Sequence, residues 1–225
     1  MAENRPPSPQ AQIRFLQQLQ RLLDEGLFTA TYKYALLHAI ADLCVLRGDD
    51  SGAPLKLSTE DIAERFIELY WRQAVPFPVE GPEEILAQNA GRQAAIVRMV
   101  REAREEYGLS LARLKRDERS WVGLRRDVAR TVRTMPLWRL QTIGSETVPF
   151  LYPNEEAGST ITLHPGVAFC FRAFYPLIVD LVEGAWSQYI RRHNRELLGT
   201  SMELRSFLFG SERSGLGGLG PILEE

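Results

Sequence analysis

The side chains of this sequence best suited to chemistry are arginines, and they are concentrated in its middle. Between residues 91 and 140 the chain holds thirteen basic and six acidic residues, a net charge of +7, whereas residues 1–90 carry −5 and residues 141–225 carry −4. Only three of the 27 basic residues are lysines. The planar guanidinium group suits phosphate, although a GC-rich genome would produce the same bias. A clustered cationic surface attracts polyanions whatever the net charge.

Most of these bases fall on one side of a predicted helix that runs from Ser110 to Thr134. Apolar residues recur there at helical spacing, and the bases lie largely on the opposite face, at intervals of three to seven residues. We expect this cationic stripe to contact phosphates. The predicted nucleic-acid-binding residues are Arg113, Lys115, Arg116, Arg119, Arg125, Arg126, Arg130 and Arg133.

Two other interpretations of the stripe stay open. It could be a solvated helix face with ion pairs four residues apart, although acids are sparse in this stretch. It could also meet an acidic protein, or the acidic ends of a second copy in a homo-oligomer. Trp138 beside Arg139 could stack on an unpaired base, but we expect Trp138 to pack in the core.

Patterns typical of a catalytic site are absent from the sequence. It has neither the G-x-x-x-x-G-K-[ST] loop that cradles phosphates nor a G-x-S-x-G nucleophile elbow. Residues 215–220 match G-x-G-x-x-G in letters only, because no strand precedes them and Pro221 follows at once. None of the three lysines has an acid two residues before it, as a D…[DE]-x-K nuclease core requires. We therefore predict no catalytic residue in this chain.

The two cysteines and three histidines are too scattered for a metal cluster. Cys44 and Cys170 lie in apolar helical patterns and are predicted to be buried, reduced thiols. His38 lies on an apolar helix face and is predicted to be a core residue with its hydrogen bonds satisfied. We expect no metal and no cofactor in this chain.

The elements that must position the arginines are mainly helices. The fold class is predicted to be mainly α, a multi-helix domain with a small β-hairpin or three-stranded β element near residues 137–163. We expect a disordered lead (1–11), an N-terminal helical region (12–135), a small hairpin with a C-terminal helical block (136–210) and a Gly-rich linker or tail (211–225). Residues 29–73 show the helix, strand, helix order of a winged helix-turn-helix, which is a weak signal.

Nothing in the sequence indicates a membrane. No apolar run approaches the roughly 20 residues that a membrane-spanning helix needs. The start, MAENRPPSPQ, has no apolar segment of the kind found in secretory signals. We expect a cytoplasmic protein without a membrane partner.

Several strings resemble the helical N-terminal region of bacterial HNH endonuclease-like proteins. They are FLQQLQRLLDEGLFTATYKYALLHAIADL (15–43), STEDIAERFIELYWRQ (58–73), NAGRQAAIVR (89–98), MPLWRLQTIG (135–144) and ITLHPGVAFCFRAFYPLIVDLVEGAWSQYIRRHN (161–194), followed by LLG and FLFG up to residue 210. The similarity covers most of residues 13–210.

The resemblance implies that this region accompanies a cysteine-bearing ββα nuclease module, which cleaves with a histidine general base and a divalent metal. That module should begin just past residue 210, yet the sequence up to Glu225 holds neither C-x-x-C nor an H…N…H pattern. No catalytic or metal residue is therefore carried over. The leading hypothesis is a region that binds and positions nucleic acid, expected to be duplex DNA, for an HNH-type endonuclease in defence against foreign DNA. The alternatives are a helical protein-interaction scaffold and a winged-helix regulator.

Overall fold

The computed structural model describes residues 5–78, 84–90, 93–154, 158–199 and 203–210. The predicted Gly-rich tail (211–225) and the first four residues of the predicted lead lie outside these ranges. The helices are α1 (Pro9–Glu25), α2 (Tyr32–Arg47), α3 (Thr59–Gln73), α4 (Ala95–Tyr107), α5 (Leu111–Arg116), α6 (Glu118–Thr134), α7 (Pro136–Arg139), α8 (Val167–Ala173), α9 (Tyr175–His193), α10 (Arg195–Leu198) and α11 (Leu204–Phe209). The strands are β1 (Lys56–Ser58), β2 (Thr142–Ile143), β3 (Glu146–Thr147) and β4 (Thr160–Thr162). The predicted class, mainly α with a small β element, is confirmed.

Helix α1 begins earlier than the sequence pattern indicated. Ser8 caps it by accepting a hydrogen bond from the backbone N of Ala11 at 3.3 Å, and Pro9 stands in the first turn, where its missing N–H costs nothing. Residues 9–11, which were assigned to the disordered lead, therefore belong to the helix. The helix ends at Glu25, and Gly26 is its C-cap.

Helix α2 is the centre of the molecule. Its side chains are buried on every face from residue 33 to residue 41, which is the pattern of a helix enclosed by other elements. It packs against α3, α8 and α9. A single cluster of buried apolar residues extends from Phe15 to Leu208, so the predicted N-terminal region and C-terminal block share one core.

The β structure consists of two separate antiparallel pairs. Strands β2 and β3 form the predicted hairpin, whose turn includes Gly144 at a φ of +56°. Strand β4 does not extend that hairpin; it pairs with β1, with Leu57 opposite Ile161. The three-stranded alternative was therefore wrong within the described residues. Residues 137–139 were expected to be part of a strand. They belong instead to α7, and Pro136 occupies the first turn of that helix.

The helix predicted from Ser110 to Thr134 is in fact two helices. Asp117 ends α5 and caps α6, accepting a hydrogen bond from the backbone N of Ser120 at 3.3 Å. An aspartate in this position satisfies one of the free N–H groups that start a helix. Of the described helices, none has both the length and the apolar character needed to span a membrane.

Candidate nucleic-acid interface

Helix α6 is held by its apolar face. Trp121, Val128 and Val132 are buried, and the helix packs extensively on α3 and also on α4. Because the buried residues recur at helical spacing, the opposite face of α6 points to solvent. The stripe therefore lies on an element whose position the core fixes.

Four arginines of the predicted set occupy that solvent face. At 3.6 residues per turn they fall within an arc of about 60° on the helix. The first three along the chain are exposed to solvent, and the fourth, Arg133, is half-buried. They are Arg119, Arg126, Arg130 and Arg133. Helix α5 adds two more exposed arginines, Arg113 and Arg116.

Only one of these six arginines has an ion pair among the described residues. The Nη1 atom of Arg130 lies 3.5 Å from Asp127 Oδ1, and the Arg130 side chain is still 66% exposed. Such a pair between exposed groups contributes little and leaves the guanidinium free to bind another anion. We call the set Arg113, Arg116, Arg119, Arg126, Arg130 and Arg133 the basic face.

The two remaining members of the predicted set lie against α3 instead. Lys115 Nζ is 2.8 Å from Glu64 Oε1 and 2.7 Å from Glu68 Oε1. Arg125 Nη2 is 2.7 Å from Glu60 Oε2, and its Nη1 is 3.6 Å from Glu64 Oε2. The three glutamates stand four residues apart on α3 and form an acidic row.

These ion pairs change the role assigned to both bases. Burial opposes the charge of Lys115, but hydrogen bonds from the amine to Glu64 and Glu68 give a net rise in its pKa. Its charge is therefore already compensated inside the protein. Lys115 and Arg125 fasten α5 and α6 to α3, so we leave them out of the basic face. The sequence could not show this, because the acidic row lies some fifty residues earlier in the chain.

The segment that follows α6 differs from the expectation for Trp138. Pro136, Leu137 and Leu140 are buried, and they turn Trp138 and Arg139 outward. The Trp138 side chain is 51% exposed, so the predicted core packing of this residue was wrong. Met135, which directly follows α6, is exposed as well.

Lys33 is a functional candidate that sequence reasoning missed. This side chain of α2 is buried, and its Nζ lies 5.3 Å from the centroid of the Phe28 ring. Burial, with the repulsion of Arg139, lowers the pKa of Lys33 to about 8. The only signal in the sequence is a lysine within an otherwise apolar helix pattern. Arg139 and Lys33 thus extend positive charge beyond α6.

A second group of arginines lines a groove of about 750 Å³ beside α4. Arg101 pairs with Glu105 at 2.8 Å, and Arg104 lies over the Trp71 ring, 5.4 Å from its centroid, while donating a hydrogen bond to the Trp71 carbonyl. Glu84 also lines the groove. Of the arginines that line the groove, Arg101 and Arg104 already have partners and Arg98 has no ion pair among the described residues. Because the lining also carries acidic residues, the groove is a weaker anion site than the basic face.

The histidine predicted to lie in the core does so. His38 is buried on α2, with Nδ1 3.3 Å from Asp42 Oδ2 and Nε2 3.3 Å from Glu183 Oε1. Burial disfavours its charge, but the two carboxylates prevail and raise its pKa to about 9. A histidine that stays protonated at neutral pH is poorly suited to act as a general base. Its partners stabilise the fold.

The described residues bring together no group of three or more histidine, cysteine, aspartate or glutamate side chains that could hold a metal ion. Both cysteines are buried free thiols, as predicted. Burial raises the pKa of Cys170 to about 11, which leaves it unreactive at neutral pH.

No protein-family model, curated protein or solved structure matches this chain.

Proposed function

We propose that this protein binds the phosphate backbone of nucleic acid, with duplex DNA as the expected substrate, through the basic face. The observation that carries the proposal is a row of four arginines along the solvent face of α6, with two more exposed arginines on α5; of these six, only Arg130 has a carboxylate partner among the described residues. Guanidinium groups left open to solvent on a rigid helix are arranged for phosphate oxygens.

The length of the row suits this partner. From Arg119 to Arg133 the helix rises about 21 Å, at 1.5 Å per residue. A DNA duplex carries about twelve phosphates over the same distance, since it has one charge per 1.7 Å. Contacts of this kind position the protein on the backbone and read no sequence.

We further propose that this binding serves an HNH-type endonuclease, with the present chain holding the substrate, in defence against foreign DNA. The support is the sequence resemblance given above together with a cationic surface of the kind such a region needs. The residues described here supply no cleavage chemistry of their own in this proposal. A nuclease module would supply the histidine base and the divalent metal.

The winged-helix alternative finds less support. Its second helix would be α3, yet that helix carries the acidic row, in which Glu60 is 56% exposed and the other two glutamates lie against Lys115 and Arg125. Carboxylates in that position repel phosphates. Strand β1 also pairs with β4 about a hundred residues away, outside the 29–73 segment.

The test is the salt dependence of binding to duplex DNA. About six phosphate contacts should give a slope near −5 in log K against log salt. A variant with Arg119→Ala, Arg126→Ala and Arg130→Ala should bind less tightly at low salt, with a slope near −2 to −3. The matched control is Arg191→Ala, Arg192→Ala and Arg195→Ala, which removes the same charge from exposed positions on α9 and α10.

An equal loss of DNA affinity in both triple variants would mean that the net charge of the protein alone drives binding. An unchanged slope in the α6 variant would exclude the basic face as the contact. Tight, salt-dependent binding to poly-glutamate together with none to DNA would favour the interaction scaffold instead.

A further inference from the structure

Trp138 is the exception among the four tryptophans. Trp71, Trp121 and Trp186 are buried, at 5%, 8% and 0% exposure, whereas Trp138 is 51% exposed. The indole N–H groups of Trp71 and Trp186 donate to Leu109 O at 3.0 Å and to Gln88 Oε1 at 3.2 Å. Within the described ranges, Trp138 has no such bond and no ring partner.

The ring stands at the end of the basic face. Only four residues separate Trp138 from Arg133, so their Cα atoms are at most about 18 Å apart. Arg139 follows directly and is exposed, and Lys33 lies close enough for the two charges to interact. A flat aromatic surface flanked by cations is the arrangement with which proteins bind unpaired nucleotides.

An apolar protein partner is the other use of an exposed tryptophan, and charge decides against it. An apolar partner would bury the arginines at positions 133 and 139, which bracket Trp138, without an opposite charge, and this is unfavourable. Positive charge around a ring instead matches a partner that carries both a π-face and phosphates.

We propose that the substrate of the basic face carries an unpaired base next to its duplex, and that this base stacks on the Trp138 ring. The inference rests on the proposed function, since the duplex part is held by the arginines. A base inside a duplex is already stacked on both sides, so it gains nothing from the ring. An unpaired base gains a stacking partner, and this makes duplexes with a single-stranded tail the preferred class of substrate.

The experiment compares two DNA probes: a covalently closed circular duplex, which has no ends and no unpaired bases, and the linear form of the same duplex with a single-stranded tail. Each is titrated against the wild-type chain and against Trp138→Ala, Trp138→Phe and Leu177→Ala. Leu177 is the matched control, an exposed apolar side chain on α9. Tryptophan fluorescence follows the same titrations, because Trp138 is the exposed indole.

We expect the wild type to bind the tailed duplex about ten-fold more tightly than the closed one, with quenching of the exposed indole. Trp138→Ala should lose that preference and keep its affinity for the closed duplex. Trp138→Phe should retain most of the preference, since it keeps an aromatic ring. Leu177→Ala should behave like the wild type.

The outcomes separate this inference from the function on which it rests. Equal affinity for both probes, with binding still dependent on the basic face, overturns the stacking inference alone. An equal loss for both probes in Trp138→Ala overturns it as well, because stacking would affect only the tail. Failure of the wild type to bind either probe overturns both proposals.

Discussion

The imidazole of His38 links three helices through two carboxylates. Asp42 of α2 also accepts a hydrogen bond from Tyr175 Oη at 2.8 Å. Glu183 of α9 also binds Arg205 of α11, with Nη2 3.0 Å from Oε2. The Phe209 ring stacks on the imidazole, 6.5 Å between centroids. A positive charge on His38 therefore helps to hold α11 on α2 and α9.

This cluster predicts a pH dependence of stability. The pKa of His38 is about 9 in the folded protein, raised by the carboxylates against the effect of burial, and about 6.5 when unfolded. Since the folded state holds the proton more tightly, the stabilisation is complete below about pH 6.5 and is lost as pH rises through 9. His38→Gln should lower the free energy of unfolding by about 3 kcal/mol at pH 6 and by less at pH 9.

Urea denaturation of both proteins between pH 6 and 9.5 measures the difference. His164→Gln, at a half-buried position whose Nε2 lies 3.1 Å from the Pro149 carbonyl, is the control. A constant difference between His38→Gln and wild type across this range would contradict the assigned role of the proton.

At the scale of elements, the acidic row on α3 determines which bases are available to a ligand. Glu64 is the shared partner, since both Lys115 and Arg125 lie within ion-pair distance of it. The same carboxylate stabilises the contact between α3 and α6 and reduces the positive potential close to the basic face.

Glu64→Gln should therefore have two opposite effects. The α3–α6 contact should weaken, lowering the free energy of unfolding by about 1 kcal/mol, because the pairs are only partly shielded from water. Affinity for duplex DNA should rise several-fold at low salt, since one repulsive charge is removed. Thermal unfolding and a DNA titration measure the two effects.

Glu196→Gln, an exposed acid on α10, provides the control for the loss of a single negative charge. An equal rise in DNA affinity in both variants would show that only the loss of one negative charge matters, and that the position of Glu64 beside Lys115 and Arg125 does not.

Helix patterns were the most predictable part of the fold because their signal is local. The helix, strand, helix order predicted for residues 29–73 corresponds to α2, β1 and α3, and β2 and β3 form the hairpin predicted near residues 137–163. The break at Asp117 was missed because an aspartate that caps one helix looks, in sequence, like a polar position inside a longer helix. The helix α7 was also missed, because residues 137–139 were expected in a strand, whereas Pro136 begins a helix there.

The candidate site was predictable to the extent that one helix defines it. Helical spacing alone grouped Arg119, Arg126, Arg130 and Arg133 on one face. The positions of Lys115, Arg125 and Trp138 depend on which other elements pack against theirs, and no local pattern contains that information. For this reason the sequence assigned two structural bases to the ligand surface and placed an exposed ring in the core.

On the scale of the whole molecule, the shared core predicts that the chain unfolds as one unit. Leu57 of β1 is fully buried opposite Ile161 of β4. This strand pair joins the N-terminal region to the C-terminal block. Leu57→Ala should lower the free energy of unfolding by about 2–4 kcal/mol through loss of apolar burial and creation of a cavity. Both regions should lose stability together.

Unfolding followed by tryptophan fluorescence and by far-UV circular dichroism should give coincident transitions in the wild type and in Leu57→Ala. Lys56→Ala, an exposed neighbour on the same strand, should change stability by less than about 0.5 kcal/mol. Two separate transitions would mean that the regions fold independently.

The pairing of β1 with β4 also has a consequence for biosynthesis. Ribosomes add about 5–20 residues per second, so β1 leaves the ribosome roughly 5 to 20 s before β4 does. During that interval the apolar side chain of Leu57 and the open edge of its strand have no native partner in the nascent chain. Because α2 also waits for α8 and α9, the core is completed only after α9 has left the ribosome, and the growing polypeptide is a natural client for chaperones that shield apolar segments.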